Sequence, residues 1–362
     1  MRLEELDKNF GPEEFDRDDI VFYNVRKEPF KIYGLYEPLA EGVFRRMPKE
    51  VADSVNPGVA GLSENPSGGR IRFKTDSPFV AIHAQMPEPY MTDNTPLMAK
   101  SFSLYINNGS NSTFYRTFRY KIDKYMAGEG ISSMVQMPAQ DKKILRDITI
   151  YMPNYAKVSE IFIGIQEGAE LLAGNTYSTQ NPVVFYGSSI TQGGCASRAG
   201  NSYEDMLSRW FDFDYINLGF SGSARGEDTI AEYIAAMDMS MFVYDYDHNA
   251  PSLEHLANTH DKLFRKVRAA HPDMPIIFMT APNFDGNWEV YTARRNLIYS
   301  NYVRAYEEGD RNVYFVDGER MFGFGGRDAC TVDATHPNDL GMYRMAEAVA
   351  ATMRGISEKH DR

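Results

Sequence analysis

Apolar and polar positions divide the chain into two textures. Up to about residue 174, helical periodicity is scarce and short β-rich runs dominate. Arg70-Ile71-Arg72-Phe73-Lys74 alternates, Asp76-Ser77-Pro78 turns, and Phe79 to Ala84 runs apolar again. Ser101 to Ile106 alternates and stops at Asn107-Asn108-Gly109, a hairpin signal. Thr113 to Tyr120, Asp147 to Met152 and Glu160 to Ile165 read as further strands. Many short strands between Gly, Pro and Asn turns predict an antiparallel, jelly-roll-like β-sandwich. Beyond residue 181 the texture changes. Apolar runs begin at Val183, Tyr215, Met241, Pro275 and Val313, with helical patterns between them, notably Leu253 to His271 and Thr292 to Glu308. That alternation predicts an α/β domain, a parallel sheet with helices on both faces. The polar stretch Gly174 to Pro182 separates a domain over 1–175 from one over 181–362.

The second domain carries the chemistry. Val183-Val184-Phe185-Tyr186 reads as a short buried strand, and Gly187-Ser188-Ser189-Ile190-Thr191-Gln192-Gly193-Gly194 must turn sharply after it. A helix is expected over Ser202 to Phe213, with Asp205 placed for a capping box. A small hydroxyl at the exit of a parallel strand is exposed to substrate on a rigid backbone, as a serine nucleophile requires. Such turns are rich in Gly and Ser for steric reasons alone, so Ser189 does not decide the matter by itself. Far downstream, Asp333 and His336 precede a helical pattern from Leu340 toward Met353. An Asp three residues before a His can hold one imidazole nitrogen and leave the other for a nucleophile. Between them, Ile216 to Gly222 and Met241 to Asn249 read as strands ending at turns. The N–H groups of Ser189 and Gly222 and the Asn249 amide are then candidate oxyanion donors.

In these four blocks, taken in order, the chain from Asn181 to about Ile356 resembles the SGNH hydrolases, or GDSL-type esterases. The resemblance implies a flavodoxin-like fold, Ser189 as nucleophile, His336 as general base, Asp333 as its orienting carboxylate, and an oxyanion hole from Ser189, Gly222 and Asn249. Two departures stand out. Ser188 occupies the place of the Asp in the family's name motif, and Asp247-His248 precedes Asn249 without a Gly two residues before it. Other serine and nucleotide motifs fit less well: neither Gly187 to Thr191 nor Gly219 to Ser223 completes Gly-x-Ser-x-Gly, and no P-loop occurs.

Bulk properties narrow the partners. A net charge of −12 opposes binding to a phosphate backbone, so no nucleic acid is expected. No run of about 18 apolar residues occurs, so no bilayer span is expected. Met1 to Lys8 is charged and lacks an apolar signal core, which reads as cytoplasmic; a secreted chain trimmed of its signal would look the same. The two cysteines, Cys195 and Cys330, flank the candidate site and read as separate thiols, with a disulfide between the two loops as the alternative. Asp245, Asp247 and His248 lack a fourth metal ligand, so neither metal nor cofactor is expected. His83 reads as structural, Asp141-Lys142-Lys143 as a solvated turn, and the 19 methionines as core fillers.

Some two-domain SGNH esterases carry an N-terminal β-sandwich, and several act on acyl groups borne by carbohydrate. The resemblance therefore implies removal of short acyl groups, acetyl first among them, from a glycan or small-molecule ester. Trp288 sits on an expected loop where it can stack on a sugar or pack between domains, and Trp210 reads as core. A lipase or thioesterase and a catalytically silent glycan binder are the alternatives.

Overall fold

The computed structural model describes residues 15, 17–88, 94–109, 111–118, 130–139, 143–282 and 284–360. The charged start, the end of the expected strand at Tyr120, the Asp141-Lys142 part of the polar turn, and Asn283 lie outside these residues. Contacts group the chain into two units: 1–46, 64–177 and 198–200 form the first, and 47–63, 178–197 and 201–362 the second.

Among the described residues the first unit has ten strands, β1 (Ile20–Asn24), β2 (Lys31–Tyr33), β3 (Arg70–Thr75), β4 (Phe79–Gln85), β5 (Ser103–Asn108), β6 (Asn111–Thr117), β7 (Ile131–Gln136), β8 (Arg146–Tyr151), β9 (Glu160–Gln166) and β10 (Leu171–Ala173). They form two sheets, β1-β9-β4-β7 and β10-β3-β8-β5-β6, with β2 added to β3. Setting aside β2 and β10, the first, eighth, third and sixth strands make one sheet and the second, seventh, fourth and fifth the other. That is the strand order of a jelly roll. The pleat builds its core: Ile71 and Phe73, Val80 and Ile82, Ile148 and Ile150, Ile161 and Ile163 each alternate onto one shared cluster. Phe79 and Ala81, on the opposite face of β4, bury against Ile20, Phe22 and Phe162. Burial on both faces is why this strand is a continuous apolar run rather than an alternation.

The second unit opens early in the chain, with α1 (Lys49–Val55) and α2 (Pro57–Leu62). Asn56 caps α2, its Oδ1 accepting the Val59 N–H at 2.9 Å. The same side chain donates to Ser223 O at 3.0 Å and Glu227 Oε1 at 2.7 Å. Met47, Ala52 and Val59 join a core cluster with Val184, Tyr186, Leu218 and Phe242. Residues 47–63 therefore group with the second unit, although the hydrophobic pattern places them inside a continuous 1–175 domain. Their partners lie more than 120 residues away, beyond any local signal.

Five strands follow, β11 (Val183–Gly187), β12 (Tyr215–Gly219), β13 (Met241–Asp245), β14 (Ile276–Met279) and β15 (Val313–Val316). All pairings are parallel, in the order β12-β11-β13-β14-β15, a flavodoxin-like sheet. The helices α3 (Tyr203–Phe211), α4 (Asp228–Ala235), α5 (Leu253–Ala270), α6 (Trp288–Glu307) and α7 (Asp339–His360) complete the alternation. Val184 and Tyr186 of β11 share a cluster with Ile230 of α4 and Leu256 of α5. Phe185, one residue out of phase, packs edge-on against Tyr203 of α3. Both faces of the strand are covered, as the α/β pattern requires. The Asp205 carboxylate accepts the Ser202 N–H at 3.1 Å and the Ser202 hydroxyl at 2.8 Å, fixing the start of α3. Trp210 is not core. It is 40% exposed, near the end of α3, and meets Tyr343 of α7 edge-on.

The strand order reverses at β11, between β12 and β13, and ligands in such sheets bind beyond the carboxyl ends of the strands at that reversal. At Gly219, the end of β12, a Cβ would stand 2.2 Å from Gln192 N in the turn after β11. Gly219→Ala must push backbone against backbone, and should destabilise this unit by about 3 kcal/mol. Urea unfolding followed by tryptophan fluorescence checks this, since both tryptophans, Trp210 and Trp288, belong to the second unit.

Candidate active site

The turn after β11 winds tightly: Gln192 N–H donates to Ser188 O at 3.0 Å, Gly193 N–H to Ile190 O at 2.9 Å, and Gly194 N–H to Ser189 O at 2.8 Å. Across residues 183–194 every residue is buried except Ser189, which is half-buried. The fold thus conceals the turn and presents one hydroxyl. Its Oγ lies 2.8 Å from His336 Nε2.

His336 belongs to a small closed loop. Thr331 and Pro337 pair across its neck, and Val332 N–H donates to His336 O at 3.0 Å. Inside, Asp333 Oδ1 accepts the Thr335 and His336 N–H groups at 3.0 and 2.7 Å, while Oδ2 lies 2.6 Å from His336 Nδ1. Ala334 takes a left-handed conformation, φ +64°, which lets the chain fold back over the carboxylate. Partial burial pushes the Asp333 carboxyl up, but the His336 and Thr335 hydrogen bonds outweigh it and hold the group below its ordinary value. It stays an anion against the imidazole. Beyond the loop, Asn338 Oδ1 accepts the Leu340 and Gly341 N–H groups at 3.0 and 3.2 Å, anchoring the loop to the start of α7.

The other sequence-predicted residues fall on neighbouring turns. Phe220 N–H donates to Gly187 O at 2.9 Å, and Ser221 N–H to Gln192 Oε1 at 3.0 Å, so the turns after β11 and β12 are tied together. Gly222, φ +66°, has open space where a Cβ would stand. Asn249 ends a short 3₁₀ turn, Tyr246–Asn249, rather than a strand, and its Nδ2 donates to Phe220 O at 2.8 Å. That turn is held from below. Arg294 of α6 donates to Asp247 O, and to Ala250 O at 2.8 Å, while Ala281 N–H donates to Asp247 Oδ2 at 3.0 Å. Arg294 carried no signal in the sequence, because its role is to seat backbone carbonyls on a distant turn.

Two buried acids and an imidazole adjoin the site. Burial pushes Asp245 up to about 8, against the Thr191 hydroxyl bond, which lowers it. Burial likewise pushes Asp247 up to about 6, opposed by the Ala281 N–H. Burial, then the neighbouring His336 and Arg294, lower His248 to about 4, so it is neutral at neutral pH. No disulfide joins Cys195 and Cys330, which are separate thiols. Burial, then Asp333, raise the Cys195 thiol to about 11, far from thiolate formation at neutral pH.

Trp288 is the first residue of α6, not a loop residue, and is 53% exposed. The turn before it passes the Asp333–His336 loop: a Cβ on Gly286 would lie 3.8 Å from Ala334 O, and Arg327 pairs with Asp285 at 3.0 Å. Rings continue inward from Trp288 to Phe284 at 5.5 Å, Phe284 to Tyr291 at 5.9 Å, and Tyr291 to His248 at 5.4 Å.

Residues 180–354 match the model of the GDSL-like lipase/acylhydrolase family, and residues 20–171 match that of the N-terminus of SGNH-hydrolase-type esterases. The chain belongs to the SGNH (GDSL-type) hydrolases, in a two-domain form, and is a carboxylic ester hydrolase. No curated protein matches it significantly. Among solved structures, one described as a GDSL-like lipase from Bacteroides ovatus is 27% identical, with a TM-score of 0.81 over 94% of this chain and 98% of that one. The salicylyl-acyltransferase SsfX3 from a tetracycline biosynthetic pathway is 18% identical, with a TM-score of 0.74 over 94% and 98%. The acetyl xylan esterase Est2A from the rumen bacterium Butyrivibrio proteoclasticus is 13% identical, with a TM-score of 0.58 over 94% and 99%. The last two share the fold.

The raised Asp245 carboxyl sets a pH dependence of stability. Unfolded, an aspartate titrates near ~3.9; folded, it holds its proton to about 8. Between these values the unfolded state has lost the proton that the folded state keeps, so this group's contribution falls as pH rises and levels off above about 8. Asp245→Asn has no such proton. Its Tm relative to the parent should rise steadily from pH 5 to pH 8, measured by scanning calorimetry in matched buffers; a constant difference would contradict the assignment.

Proposed function

We propose that Ser189, His336 and Asp333 act as a catalytic triad that removes short acyl groups, acetyl foremost, from a carbohydrate. The contact of Ser189 Oγ with His336 Nε2 at 2.8 Å, with Asp333 on the far imidazole nitrogen at 2.6 Å, carries the reading. His336 Nε2 takes the Ser189 proton as Oγ bonds to the acyl carbon, and Asp333 stabilises the imidazolium. The carbonyl oxygen becomes an oxyanion, met by the Ser189 and Gly222 N–H groups and the second Asn249 amide hydrogen. The first Asn249 hydrogen is spent on Phe220 O, which fixes the amide's orientation. Collapse of the intermediate breaks the ester C–O bond, and His336 returns the proton to the departing alcohol. Water, deprotonated by His336, then cleaves the acyl-enzyme and frees the acid and Ser189.

A short acyl group offers little surface, so discrimination must come from the alcohol portion. Trp288 supplies an exposed aromatic face beside the catalytic loop, suited to stacking on a sugar ring. The fold shared with an acetyl xylan esterase supports the same substrate class.

Ser189→Ala should abolish ester turnover while leaving the circular-dichroism melt unchanged, because the residue sits in a turn rather than a core. Asn249→Ala should lower kcat on the order of 100- to 1,000-fold. Turnover retained in Ser189→Ala would exclude the triad. For substrate class, kcat/KM on aryl esters should be higher for acetyl than for octanoyl, and higher still on an acetylated oligosaccharide. Trp288→Ala should impair the oligosaccharide reaction more than the aryl one. A preference for octanoyl esters would instead favour a lipase-like acyl hydrolase.

A further inference from the structure

The triad and oxyanion hole leave unused a buried acid that lies against the nucleophile turn. Asp245 ends β13 as the register partner of Gly187, the last residue of β11. It is 6% exposed. Its Oδ1 accepts the Thr191 hydroxyl, and the carboxyl also accepts the backbone N–H of Ser188. Tyr203 of α3 closes the group, its hydroxyl 3.5 Å from Asp245 Oδ2 and 3.4 Å from Thr191 Oγ1. The approach depends on glycine. A Cβ at position 187 would stand 1.8 Å from Asp245 Oδ1 and 2.1 Å from Thr191 Oγ1.

Asn217 of β12 holds the same turn from the opposite flank, donating to Thr191 O at 2.5 Å while accepting the Gly219 N–H at 2.8 Å. Thr191 is thus gripped by its hydroxyl from one neighbouring strand and by its carbonyl from the other. Ser189 lies between the two residues that Asp245 engages, Ser188 through its backbone N–H and Thr191 through its hydroxyl.

We propose that Asp245 is a positioning residue: through the Ser188 N–H and the Thr191 hydroxyl, it fixes the turn that aims Ser189 Oγ at His336 Nε2. It touches no reacting atom. The turn presents two donors, the Ser188 N–H and the Thr191 hydroxyl, to one point, and the Asp245 carboxyl at the end of β13 accepts from both. The assignment rests on Ser189 being the nucleophile, and the two fail differently. An active Ser189→Ala removes the nucleophile. An inactive Ser189→Ala beside a fully active Asp245→Ala removes only the positioning role.

The test is kcat and KM on an aryl acetate for the full chain carrying Asp245→Ala, Asp245→Asn, Thr191→Val, and Thr191→Val with Asp245→Ala. Misplacing a nucleophile by about 1 Å costs on the order of 100-fold, so Asp245→Ala should lower kcat between about 10- and 100-fold with KM little changed. Asp245→Asn keeps an accepting oxygen and should recover most of the loss. Thr191→Val should repeat part of it, and the double variant should fall no further than Asp245→Ala alone, since both remove one connected grip. A folded Asp245→Ala with parental kcat, an Asn variant as impaired as the Ala variant, or losses that multiply in the double variant would overturn the proposal. If Asp245→Ala does not fold, Thr191→Val decides: parental kcat in a folded Thr191→Val overturns it, and a kcat loss at unchanged KM supports it.

Discussion

At the carboxyl ends of β11 and β12, backbone and buried polar groups come closer than any side chain on the two terminal glycines would permit. Gly187 admits the Asp245 carboxyl, and Gly219 admits the backbone of the turn after β11. Everything that presents Ser189 follows from these two approaches. With them, the turn is hydrogen-bonded to both neighbouring strands and buried along its length, so little freedom remains except the Ser189 rotamer. Catalysis by a serine gains from that rigidity, because orientation settled during folding does not have to be settled again at each turnover.

The partner side of the site is built differently. The Asp333–His336 loop is half exposed, and its order comes from one carboxylate that accepts two backbone N–H groups and the imidazole. Asp333 therefore shapes its own loop as well as orienting the ring. Ser189, held on a turn anchored to two strands, thus faces a self-capped loop that is more exposed than the turn itself. The aromatic sequence from His248 through Tyr291 and Phe284 to Trp288 borders that side.

Much of this was legible in the chain because it is written locally. The alternation of β3 and β5, the α/β periodicity after residue 181, the Ser202 capping box and the Asp333-x-x-His336 spacing all act within a few residues. What escaped is set by long-range contact. Residues 47–63 form two helices whose apolar positions make sense only against β11 to β13 and α4. Short strands such as β2 and β10, three residues each, hold their shape from β3 rather than from their own composition. Trp210 reads as core by type, yet its place near the end of α3 leaves it at the surface. Asp245 and Arg294 gave no signal as positioning groups, since each works on a turn in a different segment. Charged residues inside an apolar run suggest a metal before they suggest a buried hydrogen-bond acceptor.

The central claim is that Ser189 forms a covalent acyl intermediate. Acid-quenching the enzyme during turnover of an aryl acetate, followed by peptide mass spectrometry, tests it most directly. An acetyl group on the peptide bearing Ser189, absent in Ser189→Ala, is the predicted result. Acetyl found on Ser221 or on another side chain, or turnover with no acylated peptide under conditions where deacylation limits the rate, would contradict it.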